Sequence, residues 1–155
     1  VFIGIENRFR AVEKIVLAAQ ERSLDPALAD IYCKLACVLV CGTIERSVEI
    51  VIVERVGARS PPQVSSFLRT HFKRGTNYDC EAIQQLLFKF DSGWGHKFEE
   101  FVSNNEQIKQ SVQSCYALRN SIAHGVGGSL GPRVLKQYYD DSFTLIVELE
   151  ALLRT

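Results

Sequence analysis

Methionine is absent from all 155 residues, position 1 included, and tryptophan occurs once. The missing initiator fits a numbering that begins inside a longer protein. Neither sign of charge is in excess, because 18 basic side chains face 18 acidic ones. No global field therefore draws a polyanion, and any nucleic-acid site must be a local patch. No uninterrupted apolar run approaches ~18 residues, so no membrane span and no membrane partner is expected. The opening stretch is amphipathic and lacks the layout of a signal peptide. The five cysteines form an odd set with no CxxC pair and no zinc-finger spacing. That usage points to a reducing compartment and makes a cytoplasmic location the expectation. A GxSxG elbow is missing, and so is the GK[ST] ending of a phosphate loop, which removes two common catalytic frameworks. Alternating strand patterns are missing as well.

What remains is helical periodicity. Phe2, Ile5, Phe9, Val12, Val16 and Ala19 recur at threes and fours. Asp25-Pro26 supplies an N-cap followed by a first-turn proline, and opens a helix that runs to about Val56. Its middle, Leu35 to Ile44, is apolar on all sides, as expected of the central helix of a bundle. Gly57 ends it. Ser60-Pro61-Pro62 starts a helix bearing Val64, Phe67, Leu68 and Phe72, and Asn77 or Asp79 caps another with Ile83, Leu86, Leu87 and Phe90. Asp91-Ser92-Gly93 breaks that helix before a short one from Trp94 to Val102, whose Trp94, Phe98 and Phe101 read as packing residues rather than a base-stacking platform. Asn104 or Asn105 caps a helix through Ile108, Val112, Cys115, Leu118 and Ile122, and Pro132 opens the last one, through Leu152. The chain reads as one all-α domain, an antiparallel bundle of five to seven helices.

Three features stand out from this pattern. Cys33, Cys37 and Cys41 fall at i, i+4 and i+8 on one apolar stripe, where reduced thiols pack as small hydrophobes. A metal there needs a histidine or carboxylate converging on the stripe, and spacing shows none. Glu45 continues the apolar row Val38, Cys41, Val48, Ile52, where a carboxylate is costly unless paired. It either sits at the helix surface beside an ordinary Arg46–Glu49 pair, or crosses the bundle to Arg119. The run from Arg69 to Arg74, RTHFKR, is the densest basic cluster; cations suit a helix C-terminus, and the same cluster also suits a phosphate backbone. His71 and His96 have no matching ligand pattern and read as surface residues.

The most informative stretch is CYALRNSIAHGVGG, residues 115–128. It places Arg119, Asn120 and His124 at a helix end before a glycine-rich link. Arginine grips phosphate oxygens with two prongs, and histidine changes charge near neutral pH. Asn120 and His124, four apart, share a face, whereas Arg119 and His124 lie about 140° apart around the axis and flank a ligand from two sides. Cleaving a phosphodiester through an internal hydroxyl requires a base, an acid and stabilisation of charge on phosphorus. His124 serves one of the first two needs and Arg119 the third, while Asn120 holds the imidazole or binds a phosphate oxygen.

The run RNSIAHG resembles the R-x4-6-H signature of HEPN domains. CGTIERSVE at 41–49 and LRNSIAHG at 118–125 are most similar to the branch called RiboL-PSP-HEPN. The resemblance implies one HEPN-like helical domain over residues 1–155 and a metal-independent endoribonuclease without a cofactor. It further implies a homodimer with a composite cleft at its interface, and RNA as substrate. Arg119 and His124 become the catalytic pair, Asn120 the supporting polar residue, and Glu45 the acid that orients Arg119. Toxin or antiviral roles, with an antitoxin or regulator as partner, occur in the superfamily. The tyrosine that some members carry two residues after the histidine is Val126 here. A non-catalytic dimerisation or RNA-binding module built on the same residues is the alternative.

Overall fold

Asp25 starts the longest helix in the molecule by accepting hydrogen bonds from the backbone N–H groups of Ala27 and Leu28, with Pro26 at the first helical position. In the computed structural model, which describes residues 2–72 and 75–154, seven α-helices and no strand occur among the described residues. They are α1 (Ile3–Ala19), α2 (Pro26–Gly57), α3 (Pro62–His71), α4 (Cys80–Phe90), α5 (Ser92–Asn104), α6 (Glu106–Ala123) and α7 (Pro132–Leu152). The chain is an all-α helical bundle, as the periodicity requires. Lys73 and Arg74, the end of the basic run, lie outside the described residues.

α2 is the axis of the bundle, packing against α1, α3, α6 and α7. Ile44, Val48, Val51 and Ile52 are fully buried along it, each removing roughly 1.5–3 kcal/mol worth of apolar side chain from water. The ends of the chain are locked onto this core by Glu150. This carboxylate is 2% exposed, accepts the Phe2 N–H at 2.8 Å and pairs with Arg154. Burial works against its charge, yet these donors outweigh burial and hold its carboxyl below the ordinary range.

Three local expectations are revised. The expected break after α4 is confined to Asp91, which ends α4 and then caps α5 by accepting the Trp94 N–H, so Ser92 and Gly93 already form the first turn of α5. Asn105 occupies the N-cap position of α6 as expected, but its side chain makes no cap hydrogen bond; its amide donates backwards to the Phe101 carbonyl. The third concerns α2, whose middle is apolar all round but not buried all round. Leu28, Ile31, Leu35 and Val38 form an exposed row, with Ile31 at 58% and Leu35 at 45% exposure. At 100° per residue these positions fall within one narrow stripe, which continues through exposed Gly42 to Glu45 and Arg46. By length and composition α2 also passes as a helix able to cross a membrane, with a mean hydropathy of 1.8 over its best 18-residue window. Asp30 and Lys34 interrupt the apolar sequence, so no single uninterrupted run reaches that length.

Candidate active site

α6 carries the RNSIAHG run and lies along α2. A buried cluster of sulfur lies between them. Cys115 of α6 approaches Cys37 and Cys41 of α2, each at 3.6 Å between sulfurs, and the Cys37 thiol also donates to the Cys115 carbonyl. Hydrogen bonding to the neighbouring thiols, with burial added, pushes Cys115 far above the ordinary thiol range; at Cys41 the Cys115 contact lowers the value, but Cys37 and burial outweigh it and raise it. The residue that converges on the cysteine stripe is therefore another cysteine. Among the described residues, no group of three or more His, Cys, Asp or Glu could hold a metal ion.

One helical turn beyond Cys115, Arg119 faces α2. Its Nη2 donates to Glu45 Oε1 at 3.0 Å, and its Nη1 donates to Asn120 Oδ1 at 3.2 Å. Arg46 and Glu49 pair with each other at the same time. Both readings of this part of α2 are thus realised together, since Glu45 turns inward while Arg46 and Glu49 form the surface pair. The Arg119 and Glu45 side chains are 29% and 22% exposed. Burial raises the Glu45 carboxyl above its ordinary value, and the facing guanidinium only partly offsets that. An ion pair this exposed contributes about 1 kcal/mol or less to stability, so its main effect is on where Arg119 points. Two of the five guanidinium N–H donors are used, leaving the others for a ligand.

Asn120 is tied to Arg119 and not to the imidazole of His124. The link between Asn120 and His124 is through the backbone, the His124 N–H donating to the Asn120 carbonyl at 3.0 Å. His124 is the C-cap of α6, and the turn after it is a Schellman motif. The Val126 N–H reaches back to the Ser121 carbonyl, and the Gly125 N–H to that of Ile122. This closure puts Gly125 at φ +69°, which explains a glycine directly after the histidine. The imidazole is exposed and takes no hydrogen bond from the described residues. Val126, two residues on, is 80% exposed.

A recess of 160 Å³ opens beside Glu45, between α2 and the segment joining α3 to α4, with Phe72, Thr76 and Tyr78 on its far wall. Tyr116 of α6 fixes that wall, its hydroxyl accepting the Tyr78 N–H at 3.2 Å and donating to the Cys41 carbonyl at 3.4 Å. Phe72 is legible as an apolar helix residue, but nothing local announces that Tyr78 will be pinned to α6.

The family model described as RiboL-PSP-HEPN matches residues 4–154, which is nearly the whole chain and includes both halves of the Glu45–Arg119 pair. No curated protein matches the chain. No solved structure matches it either.

Proposed function

The chain belongs to the RiboL-PSP-HEPN family, and on that premise we propose that it is a metal-independent endoribonuclease. The observation that carries this reading is the end of α6. There, a guanidinium braced by Glu45 and Asn120 keeps further donors, and an exposed His124 takes no side-chain partner among the described residues.

The chemistry is an internal transfer. The 2′-oxygen of RNA forms a bond to phosphorus as its proton passes to a base. The bond to the 5′-oxygen breaks as that oxygen takes a proton from an acid. The products are a 2′,3′-cyclic phosphate and a 5′-hydroxyl. Arg119 stabilises the added negative charge at phosphorus, a task for which a planar fork is better suited than a point charge. His124 supplies proton transfer in one direction, a role usually worth 10²–10⁴-fold in rate. The reaction needs a base and an acid together, while each chain offers one such imidazole at this end of α6. A homodimer that brings two α6 ends into one cleft supplies both. The apolar row from Leu28 to Val38 runs into Glu45 and Arg46, so a second copy seated on it reaches the neighbourhood of the site. The reading requires no metal and no cofactor. An antitoxin or another regulatory protein is the partner expected of such an enzyme if it acts as a toxin or antiviral effector in the cytoplasm.

The same apolar row also favours a second reading, a non-catalytic helical dimerisation or RNA-binding module in which Arg119 and Glu45 organise an interface. Incubating the purified protein with labelled RNA in EDTA, beside His124→Ala, separates the two. Cleavage lost in the variant supports the enzyme, and RNA left intact by both supports the module.

A further inference from the structure

Arg69 and His71, which begin the basic run at the end of α3, are not used by the Arg119–His124 site, yet the described residues around them form a connected surface leading towards it. Phe67 is 68% exposed, an unusual position for a phenylalanine on a helix whose own buried residue is Leu68. Its ring begins a series of aromatic contacts that descends into the protein. Phe67 and His71 lie 6.5 Å apart and tilted by 31°, His71 meets Phe72 edge-on at 5.4 Å, and Phe72 meets Tyr78 at 6.2 Å. Tyr78 is buried and held by Tyr116, so the inner end of the series is fixed and the outer end is free. A cavity of 340 Å³ lies over the outer end, lined by Phe67, Thr70, His71 and Thr76. Thr76 also lines the recess that Glu45 borders, so the two spaces adjoin.

We infer that this cavity is a subsite for a single unpaired nucleobase of the RNA, stacked on Phe67 and His71, next to the nucleotide whose phosphate Arg119 engages. The inference deepens the ribonuclease reading and rests on it for the identity of the ligand. Aromatic and imidazole faces stack splayed-out bases of single-stranded RNA without regard to sequence, whereas bases inside a helix are already stacked and unavailable. The cavity falls near the lower end of the ~300–1,000 Å³ range of small-ligand sites, a size for one base with its sugar and not for a duplex. The Thr70 hydroxyl donates to the Ser66 carbonyl at 3.0 Å and keeps an acceptor oxygen at the cavity's edge. Exposed Arg69 on α3 supplies a cation for a flanking phosphate. An exposed apolar contact for a protein partner would call for a broad hydrophobic surface, and here Phe67 has only Val64 beside it as an exposed large hydrophobic on α3, with exposed Ser66 and Thr70 around it.

The test uses the full chain carrying His124→Ala, so that RNA is held uncut, and a fluorescein-labelled single-stranded RNA of mixed sequence. Binding is read by fluorescence anisotropy at one stated salt concentration. Adding Phe67→Ala should weaken binding on the order of 10-fold, the scale of one lost base stack. Phe67→Leu should weaken it as much, and Phe67→Trp should preserve it. RNA bearing 5-iodouridine should crosslink to α3, and a double-stranded competitor should not displace it. No binding by the His124→Ala parent, equal binding by Phe67→Ala, or full binding by Phe67→Leu overturns the subsite. So does a Phe67→Ala variant that changes only the sedimentation of the protein. Cleavage by the otherwise unaltered chain is scored separately. RNA binding that depends on Phe67 without any cleavage removes the ribonuclease reading and leaves the subsite. Cleavage with Phe67→Ala binding unchanged removes the subsite and leaves the ribonuclease.

Discussion

Glu45 and Arg119 are 74 residues apart in the chain and 3.0 Å apart in the fold. Their contact joins the central helix to the helix that ends in His124, and it fixes one prong of the guanidinium while Asn120 fixes another. The pair is too exposed to be a major source of stability. Its effect should therefore appear in activity. Glu45→Gln should lower the rate of RNA cleavage about 10-fold or more while shifting the unfolding midpoint little. Arg119→Lys should lose on the order of 10²-fold, because an ammonium keeps the charge but not the fork. Steady-state cleavage rates beside thermal melts check both, and a Glu45→Gln variant that loses stability but keeps its full rate contradicts the assignment.

The sequence announces this site only in part, for a physical reason. Periodicity reports which residues share a helix face, so Glu45 stands out as an acid in an apolar row, and the row alone leaves its partner open. The same rule pairs Asn120 with His124, whereas the Asn120 side chain is taken by its immediate neighbour, Arg119. A guanidinium already pinned to Glu45 brings its other nitrogen within reach of Asn120, and no one-helix argument contains that third residue. α2 shows the converse limit. Its apolar middle identifies the bundle axis, but composition does not distinguish a face covered by its own chain from one left uncovered, such as Ile31 and Leu35.

Glu45 and Glu150 should respond to pH with opposite signs. Burial raises the Glu45 carboxyl above its ordinary value of 4.5, so the folded chain holds that proton more tightly than the unfolded one. Charging Glu45 therefore costs stability as pH rises from about 4.5 through the raised value. At Glu150 burial is outweighed by Arg154 and the Phe2 N–H, which depress its carboxyl. Its contribution is present above 4.5 and is lost as pH falls through the depressed value. Relative to the unaltered chain, Glu45→Gln should gain stability with rising pH, and Glu150→Gln should lose it. Urea unfolding at stepped pH measures both slopes, and slopes of the same sign contradict this account.

Gly125 holds the turn that positions His124. Its φ of +69° disfavours any side chain, although a β-carbon there would touch nothing within 4 Å. Gly125→Ala should thus cost about 1–2 kcal/mol through backbone conformation alone, which for a chain of this size lowers the melting temperature by roughly 2–8 °C. Cleavage should fall further than the melt suggests, since the strain is relieved by moving the end of α6. Calorimetry with parallel rate measurements separates the two effects.

The exposed row on α2 predicts the assembly. Replacing Ile31 and Leu35 together with glutamate should leave the fold nearly as stable, because both are already in water in the single chain. It should convert a dimer to a monomer and abolish cleavage with it. Sedimentation velocity at micromolar protein shows this directly. A parent chain that is monomeric throughout, or a double variant that remains a dimer, rules out this surface.

The most direct test of the central claim is the chemistry of the cut. Single-stranded RNA labelled at its 5′ end is incubated with the protein in EDTA, beside His124→Ala and a DNA strand of the same sequence. The account predicts cleavage that persists in chelator and leaves a 2′,3′-cyclic phosphate, about 10²-fold or more slower with His124→Ala, and no cutting of DNA, which lacks the 2′-hydroxyl. Full activity in His124→Ala, or activity that disappears in EDTA and returns with Mg²⁺, contradicts it.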